Sequence, residues 1–194
     1  MTTPDRAMRE RILTQALRLF VTHGYHGISM REIAEAVGVS KAGLYYHFKD
    51  KQDLFLAILT DDLLSIDALV SAVRGAGGTT REQVVRLVRA LFDQPAERRA
   101  IIRLAGQEMA HLDEAARAEF GRLYQERFIG QVAAILREGV ARGELRQIDP
   151  QLATWLLLGM MYPFFTPSEA RTPRPPEQTI ELMLAVFFEG VAAL

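Results

Sequence analysis

The chain contains no cysteine, only three lysines and only eight prolines among its 194 residues. Without cysteine it can form no disulfide, no thiolate nucleophile and no cysteine-ligated zinc or iron–sulfur site. Charged residues make up 24% and hydrophobic residues 49%, a balance that excludes general disorder. We therefore expect one domain or two small ones around a sizeable core, and the absence of cysteine favours the cytoplasm.

Long apolar runs are scarce as well. The first seventeen residues alternate charged and apolar side chains, which is not the pattern of a signal peptide. The longest uncharged stretch runs from Gln151 to Ser168. Its apolar centre, interrupted by Pro163, is shorter than the roughly 20 residues that a membrane span requires. We expect a buried helix there and no membrane partner.

Positive charge is concentrated at the start of the chain. Residues 1–52 carry eight basic and five acidic side chains, a net charge of +3, and they include all three lysines. The remainder carries −4, which brings the whole chain to −1. This division predicts that the two parts of the chain have different partners.

Apolar residues recur at helical spacing along the whole chain, and no segment has a convincing strand pattern. Ser29 with Glu32, and Thr79 with Glu82, form capping-box patterns that each mark the start of a helix. The sequence therefore predicts an all-α fold. The predicted helices cover residues 3–23, 29–37, 40–48, 50–74, 79–92, 95–110, 114–142, 150–166 and 177–193.

Residues 29–48 have the pattern of a helix-turn-helix. Two short helical segments flank the turn 36–39, in which Gly38 permits a sharp bend. Many core helix pairs also turn on a glycine, so this spacing alone leaves a purely structural role open. The second helix favours DNA, because serine, lysine, alanine and glycine at 40–43 leave its first turns unobstructed and are followed by donors suited to phosphate oxygens. Tyr45 could place its ring in the core and expose only its hydroxyl, and this arrangement is compatible with both the DNA-binding and the purely structural role.

The segment SMREIAEAVGVSKAGLYYHFKDKQDLF, residues 29–55, is very similar to the N-terminal signature of TetR-family transcriptional regulators. The resemblance covers about residues 8–55, and beyond them the chain matches in length, helical character and general plan. It implies an N-terminal three-helix helix-turn-helix DNA-binding head over residues 1–52. It also implies a C-terminal helical ligand-binding and dimerisation body over residues 53–194.

The function that this resemblance implies is a ligand-responsive transcriptional regulator. It would be a repressor that binds a pseudo-palindromic double-stranded DNA operator as a homodimer and is released by a small hydrophobic effector. Carried over by position, the residues that face bases are Arg31, Lys41, Ala42, Gly43 and Tyr46. Those that hold phosphates are Ser29, Ser40, Tyr45, His47 and Lys51.

Aromatic and methionine side chains with a few polar groups are the usual lining of a small-molecule site, although they are equally common in cores. Glu108 and His111 form an E-x-x-H pair. A di-metal site would need a second such pair, which the sequence lacks, so we expect no metal. We expect the pair to make a polar contact to an effector or to lie on an exposed helix edge. The candidate effector-pocket residues are Phe92, Leu104, Glu108, Met109, His111, Phe120, Tyr124, Phe128, Trp155, Met160 and Tyr162.

The last two predicted helices are apolar nearly all round, so they must be buried on more than one side. Packing across a two-fold axis would achieve this, and a tight monomer core is the alternative. The candidate dimer face consists of Trp155, Leu158, Met161, Leu184, Phe187 and Phe188.

An enzyme is not expected. The sequence has no G-x-S-x-G elbow and no phosphate-binding loop, and its glycine-rich stretch 75–78 follows a predicted helix where a dinucleotide site needs a strand. We also expect no cofactor. The competing interpretation is a DNA-binding protein of the same fold whose body binds a protein partner or no effector.

Overall fold

A computed structural model describes residues 3–165 and 177–191, without the side chains of residues 3, 4, 103, 106, 111 and 191. Within those ranges the chain is helical and contains no β-strand, which confirms the predicted all-α class. The α-helices of the described ranges are α1 (Thr3–His23), α2 (Met30–Val37), α3 (Lys41–His47), α4 (Lys51–Gly75), α5 (Thr80–Phe92), α6 (Ala96–Glu108), α7 (Glu114–Tyr124), α8 (Gly130–Ala141), α9 (Pro150–Met161) and α10 (Glu177–Val191).

Both predicted capping boxes are present at helix starts. The Ser29 hydroxyl accepts a hydrogen bond from the Glu32 amide, and the Glu32 carboxylate accepts one from the Ser29 amide at 2.8 Å. Thr79 and Glu82 form the same reciprocal pair before α5. Because each box satisfies two otherwise free amides, the local sequence alone fixes where these helices begin.

The predicted single helix over residues 114–142 is interrupted by a π-helical turn at Gln125–Ile129. The Gly130 amide donates to the Gln125 carbonyl, five residues back instead of four. A Cβ at Gly130 would lie only 3.0 Å from that carbonyl oxygen, so the glycine admits the wider turn. The predicted helix over 150–166 also ends early, at Met161, and a 3-10 turn (Tyr162–Phe164) follows. Residue 166 and residues 192–193 lie outside the described ranges.

The chain divides into two compact units that are not continuous in sequence. The first unit comprises Met1–Asp62 with Ala100–Phe120, and the second comprises Leu63–Arg99 with Gly121–Leu194. A functional boundary between residues 52 and 53 stays a prediction.

The core of the first unit combines α1 to α4 with the segment 100–120. Phe20, Leu44 and Phe55 are fully buried in it together with Leu104 of α6. Two polar contacts join the same parts: the Tyr25 amide donates to Glu108 Oε1 at 3.2 Å, and the Asp113 amide donates to Gln52 Oε1 at 3.0 Å. Residues far along the chain are therefore part of the support of the helix-turn-helix.

In the second unit, the start of α5 packs against the end of α8. The buried Thr80 donates its amide to Glu144 at 2.6 Å, and Arg142 donates to the Thr80 hydroxyl at 3.0 Å. The hydrogen bond from the Thr80 amide is the largest cause of the lowered pKa of the Glu144 carboxyl, followed by the hydrogen bond from the Arg142 side chain. Gly139 faces Thr80 without a side chain, so the two helices approach closely.

No helix in residues 3–165 or 177–191 is both long and apolar enough to cross a membrane.

Gly139→Ala should destabilise the second unit. A Cβ there would lie 2.8 Å from Thr80 Cγ2 and 3.0 Å from Thr80 Cβ, and Thr80 is fully buried. Overpacking of this kind typically costs about 1–3 kcal/mol. Urea unfolding followed by circular dichroism measures the change.

The matched control is Gly121→Ala on α7, where a Cβ would meet nothing within 4 Å. There the better helix propensity of alanine should raise the free energy of unfolding by up to about 1 kcal/mol. Equal effects of the two substitutions would contradict the close packing of α5 on α8.

Candidate functional site

Helix α3 is held to the protein by one side and leaves the other side exposed. Leu44 within the helix and Phe48 just after it are buried. Lys41 and Ala42 are exposed on its first turn, and Tyr46 is 78% exposed. Tyr45 is 42% exposed, so its ring lies at the surface and not in the core, with the Lys41 ammonium 5.7 Å from the ring centroid. The outer face of α3 therefore presents cationic, phenolic and small side chains together.

The turn between α2 and α3 ends the first helix with a glycine and caps the second with a serine. Gly38 adopts φ +74°, the left-handed conformation that ends α2 at low steric cost for glycine. Ser40 caps α3 by accepting a hydrogen bond from the Gly43 amide at 3.0 Å. Arg31 is exposed on the first turn of α2 and lies 3.9 Å from Glu35. The predicted base-facing residues Arg31, Lys41, Ala42, Gly43 and Tyr46 thus all lie on α2 or α3.

Ser29 is used within the protein. Its hydroxyl donates to Glu32 Oε2 at 2.5 Å while accepting from the Glu32 amide. These hydrogen bonds, first from the side chain and then from the backbone of Ser29, lower the pKa of the Glu32 carboxyl. The structure therefore gives Ser29 a capping role in addition to the predicted phosphate contact.

His47 is also engaged inside the first unit. Its Nδ1 lies 3.5 Å from Asp5 Oδ1 on α1, and its side chain is only 9% exposed. Two arginines of α1 contact the same region. The Arg9 guanidinium lies 5.2 Å from the Phe48 ring centroid, and Arg11 donates a hydrogen bond to the Val37 carbonyl at 3.3 Å. Charged side chains of α1 thus hold α3 and the turn before it.

Lys51, the fifth predicted phosphate contact, is half-buried at the start of α4. Its ammonium donates to the Ile28 carbonyl at 3.1 Å and lies 4.6 Å from the Tyr25 ring centroid. Among the predicted phosphate contacts, Ser29, Ser40 and Tyr45 are exposed, and Ser29 already donates its hydroxyl hydrogen to Glu32.

The predicted effector residues belong to different units. Leu104 is buried in the core of the first unit, and Met109 and Phe120 pack against that core. Glu108 accepts the hydrogen bond from the Tyr25 amide, which gives this carboxylate a place in the structure of the first unit. The prediction for His111 concerns a side chain outside the described part of the chain. In the described part no cluster of three or more histidine or acidic residues is arranged to hold a metal ion.

The remaining candidates lie in the second unit, where an aromatic cluster surrounds Phe92. Its buried ring stacks on Phe165 at 5.1 Å and meets Phe164 edge-on at 6.1 Å. The Tyr124 and Phe128 rings are 5.6 Å apart at the π-helical turn, and burial raises the pKa of Tyr124 to about 12. The predicted pocket residues did not include Phe164 and Phe165, which contact Phe92. Their position directly after Pro163 was the sequence signal that an aromatic turn ends this helix. Met160 is half-buried, and Trp155 and Tyr162 are exposed.

Most of the predicted dimer face is covered by the chain itself. Met161, Leu184, Phe187 and Phe188 are buried, and Leu158 is half-buried. Trp155 is 44% exposed. The exposed large apolar side chains of these two helices outside the predicted face are Leu152 and Leu156 on α9 and Leu182 and Val186 on α10.

Two family models match the chain in succession. Residues 12–58 match the model described as "Bacterial regulatory proteins, tetR family", and they include all of α2 and α3. Residues 77–166 match the model described as "Tetracyclin repressor-like, C-terminal domain". The chain belongs to the TetR family. The members of this family are DNA-binding transcriptional regulators and not enzymes.

Two curated relatives are similar to part of the chain. The transcriptional activator FasR of Mycolicibacterium smegmatis is 44% identical over 93 residues, which are 46% of this chain and 41% of FasR. The transcriptional repressor AcnR of Corynebacterium glutamicum is 40% identical over 73 residues, 34% of this chain and 39% of AcnR. The matches therefore span about two fifths of the length of these relatives.

A solved TetR-family structure matches nearly the whole fold. AibR, crystallised in complex with isovaleryl coenzyme A and operator DNA, has a TM-score of 0.74 and 26% identity. The match covers 92% of this chain and 97% of AibR.

Proposed function

We propose that the protein is a ligand-responsive transcriptional repressor that binds a pseudo-palindromic operator as a homodimer. The observation that carries this proposal is the outer face of α3, where Lys41, Tyr45 and Tyr46 are exposed while Leu44 and Phe48 anchor the helix. Tyr46 is 78% exposed, so most of its ring is outside the core, and its flat ring and hydroxyl suit a DNA groove. Because it would act on the chromosome, we place the protein in the cytoplasm.

In this proposal α3 lies in the major groove as the recognition helix. Lys41 and Tyr46 reach base edges, Ala42 and Gly43 let the backbone approach, and Arg31 reaches in from α2. Tyr45 donates its hydroxyl to a phosphate. The Ser40 hydroxyl, which accepts from the Gly43 amide, can donate its own hydrogen to a phosphate oxygen.

The proposed dimer interface lies on the exposed faces of α9 and α10. Leu152, Trp155, Leu156 and Gly159 follow the i, i+3, i+4, i+7 spacing of one helix face. Leu182 and Val186 form a second exposed apolar strip on α10. We assign the interface to this surface and keep only Trp155 of the predicted dimer face, because Met161, Leu184, Phe187 and Phe188 are buried and Leu158 is half-buried.

The proposed effector is a small hydrophobic molecule such as a short acyl-coenzyme A. AibR, which shares the fold over most of its length, was crystallised with isovaleryl coenzyme A. A cationic effector held by Glu108 is less well supported, because that carboxylate already accepts the Tyr25 amide. The Phe92–Phe165 ring stack and the Tyr124–Phe128 ring pair in the second unit supply apolar surface for an acyl chain.

The sign of regulation also belongs to the proposal. FasR is named an activator and AcnR a repressor, so both signs occur among the relatives. We favour repression, since a bound dimer blocks a promoter without any additional contact surface. The competing function is a DNA-binding protein of the same fold whose second unit binds a protein partner or no effector.

Selection from a random duplex library should recover an inverted repeat with half-sites about 34–36 Å apart, the spacing of successive major grooves. Selection at two salt concentrations separates sequence choice from phosphate binding, which weakens steeply with salt. Lys41→Ala should change the ranking of recovered sequences, whereas Tyr45→Phe should lower the affinity for all duplexes by a similar factor. Binding without any enriched motif, lost as salt rises, would refute the regulator.

Leu156→Arg should convert a dimer into a folded monomer, as measured by sedimentation velocity and thermal unfolding. Burial of a leucine contributes about 1.5–3 kcal/mol and occurs twice in a two-fold interface, so the dimer Kd should rise at least about a hundredfold. Leu64→Arg is the matched control, because Leu64 on α4 is 53% exposed and Leu156 is 51% exposed. A wild-type monomer at micromolar concentration, or equal effects of both variants, would contradict the interface.

Isovaleryl coenzyme A should raise the unfolding temperature and lower the affinity for the selected duplex. A ligand at a hundred times its Kd stabilises the protein that it binds by about 2.7 kcal/mol. Coenzyme A without an acyl group is the control for binding by the nucleotide part alone. Stabilisation without release of DNA, or no stabilisation by acyl-coenzyme A of any chain length, would favour the competing function.

A further inference from the structure

The exposed face of α3 has a centre that is formed by two residues. Leu44 is the buried residue of this helix. Ala42 and Tyr46 lie two residues before and two residues after it, so each is about 160° from Leu44 around the helix axis. They are four residues apart, which makes their side chains neighbours on the side opposite Leu44. Both are exposed.

The flanks of this face differ from its centre. Lys41 is only about 60° from Leu44 around the axis. Its ammonium lies 5.7 Å from the centroid of the Tyr45 ring, which is on the same flank. Gly43 lies on the opposite flank and its φ is not in the left-handed region, so the backbone there does not require a glycine. With no side chain at Gly43 and only a methyl group at Ala42, this part of the exposed face is low.

The ring of Tyr46 is supported although it is exposed. It meets the His47 ring edge-on at 5.1 Å, with an angle of 80° between the ring planes. His47 is itself anchored, since its Nδ1 lies 3.5 Å from Asp5 Oδ1 and its side chain is only 9% exposed. Edge-to-face contact is a preferred arrangement of aromatic rings. The Tyr46 ring therefore has less freedom to lose when it binds a partner.

The chemistry of this central pair does not suit direct recognition of guanine or adenine. Bidentate contacts to those bases come from arginine, lysine, asparagine or glutamine, and neither Ala42 nor Tyr46 is one of these. Ala42 offers a methyl group, and Tyr46 offers a ring with a single hydroxyl. Thymine presents an apolar group, its 5-methyl, in the major groove, where alanine and aromatic side chains contact it. The central pair is therefore complementary to thymine methyl groups.

We propose that Ala42 and Tyr46 are specificity-determining residues that recognise thymine through its 5-methyl group in each operator half-site. The low surface at Ala42 and Gly43 lets a methyl group approach the helix, and the supported Tyr46 ring covers a second one. Lys41 contacts a neighbouring base pair from the flank. This inference rests on the proposed DNA-binding function and adds a base identity to it.

The first test removes the methyl group from the DNA and leaves the protein unchanged. In the duplex recovered by selection, each thymine of a half-site is replaced in turn by deoxyuridine, which pairs with adenine but lacks the 5-methyl. Burial of one such group is worth about a fourfold change in affinity. We therefore expect about a fourfold loss at a contacted thymine, and about a fifteenfold loss when both half-sites are substituted. Deoxyuridine outside the inverted repeat is the control and should have no effect.

A second test separates the methyl group from the rest of the base. Cytosine paired with guanine in place of a contacted thymine–adenine pair should weaken binding. 5-Methylcytosine at the same position should recover about fourfold of that loss, because it returns a methyl group to the same place in the major groove. Equal affinities for the cytosine and 5-methylcytosine duplexes would overturn the proposal.

Variants of α3 identify the side chains that make the contact. Ala42→Gly and Tyr46→Ala should each abolish the difference between thymine and deoxyuridine at one position of the half-site. Tyr46→Phe keeps the ring and loses only the hydroxyl, so it should retain the difference, as should Lys41→Ala on the flank. Thermal unfolding shows whether each variant is folded. A full difference at every thymine in folded Ala42→Gly or in folded Tyr46→Ala would overturn the proposal.

The outcomes separate this inference from the proposed function. A selected inverted repeat that binds equally well with deoxyuridine at every thymine would leave the regulator standing and overturn this inference alone. A recovered half-site without thymine would do the same. If the wild type selects no motif at either salt concentration, both the regulator and the recognition of thymine are refuted.

Discussion

The exposed outer face of α3 belongs to a helix that is too short to be stable by itself. Helix α3 has seven residues, and isolated helices shorter than about 12–15 residues are marginal in water. Its position is therefore set from outside, by burial of Leu44 and Phe48 and by the Asp5 and Arg9 side chains of α1. Because Tyr46 and Lys41 need only project from the outer side, their identity can vary without cost to the core.

The same constraint explains why the first unit is discontinuous in sequence. Three helices, two of them with only eight and seven residues, offer little core by themselves, and a small unit buries a smaller fraction of its surface than a larger one. The start of α4 and the segment 100–120 complete the core, with Phe55 and Leu104 fully buried. Polar contacts through Glu108 and Gln52 fix that added segment in register. The match to the N-terminal family model ends at residue 58, whereas the unit that packs together also includes residues 100–120.

Much of this architecture could be predicted from the sequence because its signals are local. The capping residues Ser29 and Thr79 indicate where a helix begins, because each side chain satisfies a backbone amide only three residues away. The π-helical turn before Gly130 could not be predicted, because a glycine within an apolar periodic segment has several meanings. The inward direction of His47 and Lys51 also escaped prediction, since it depends on Asp5 and Ile28, which are distant in sequence.

Helix α9 marks the limit of periodicity as a guide. No charged side chain occurs between residues 150 and 165, so every face of α9 looks apolar in sequence. Only packing within the second unit distinguishes the covered side, with Leu157 and Met161, from the exposed side, with Leu152 and Leu156.

This exposed side also indicates the kind of partner that would cover it. It bears no charge, so it offers no electrostatic means to select a foreign protein, whereas a second copy presents the same apolar spacing. Gly159 lies on this face, and a Cβ there would meet nothing within 4 Å, so the chain's own packing does not require a glycine. A small residue at that point would allow two α9 helices to cross closely. The absence of charge from α9 therefore hides its exposed side in the sequence, and the same absence suits a surface that packs against its own copy.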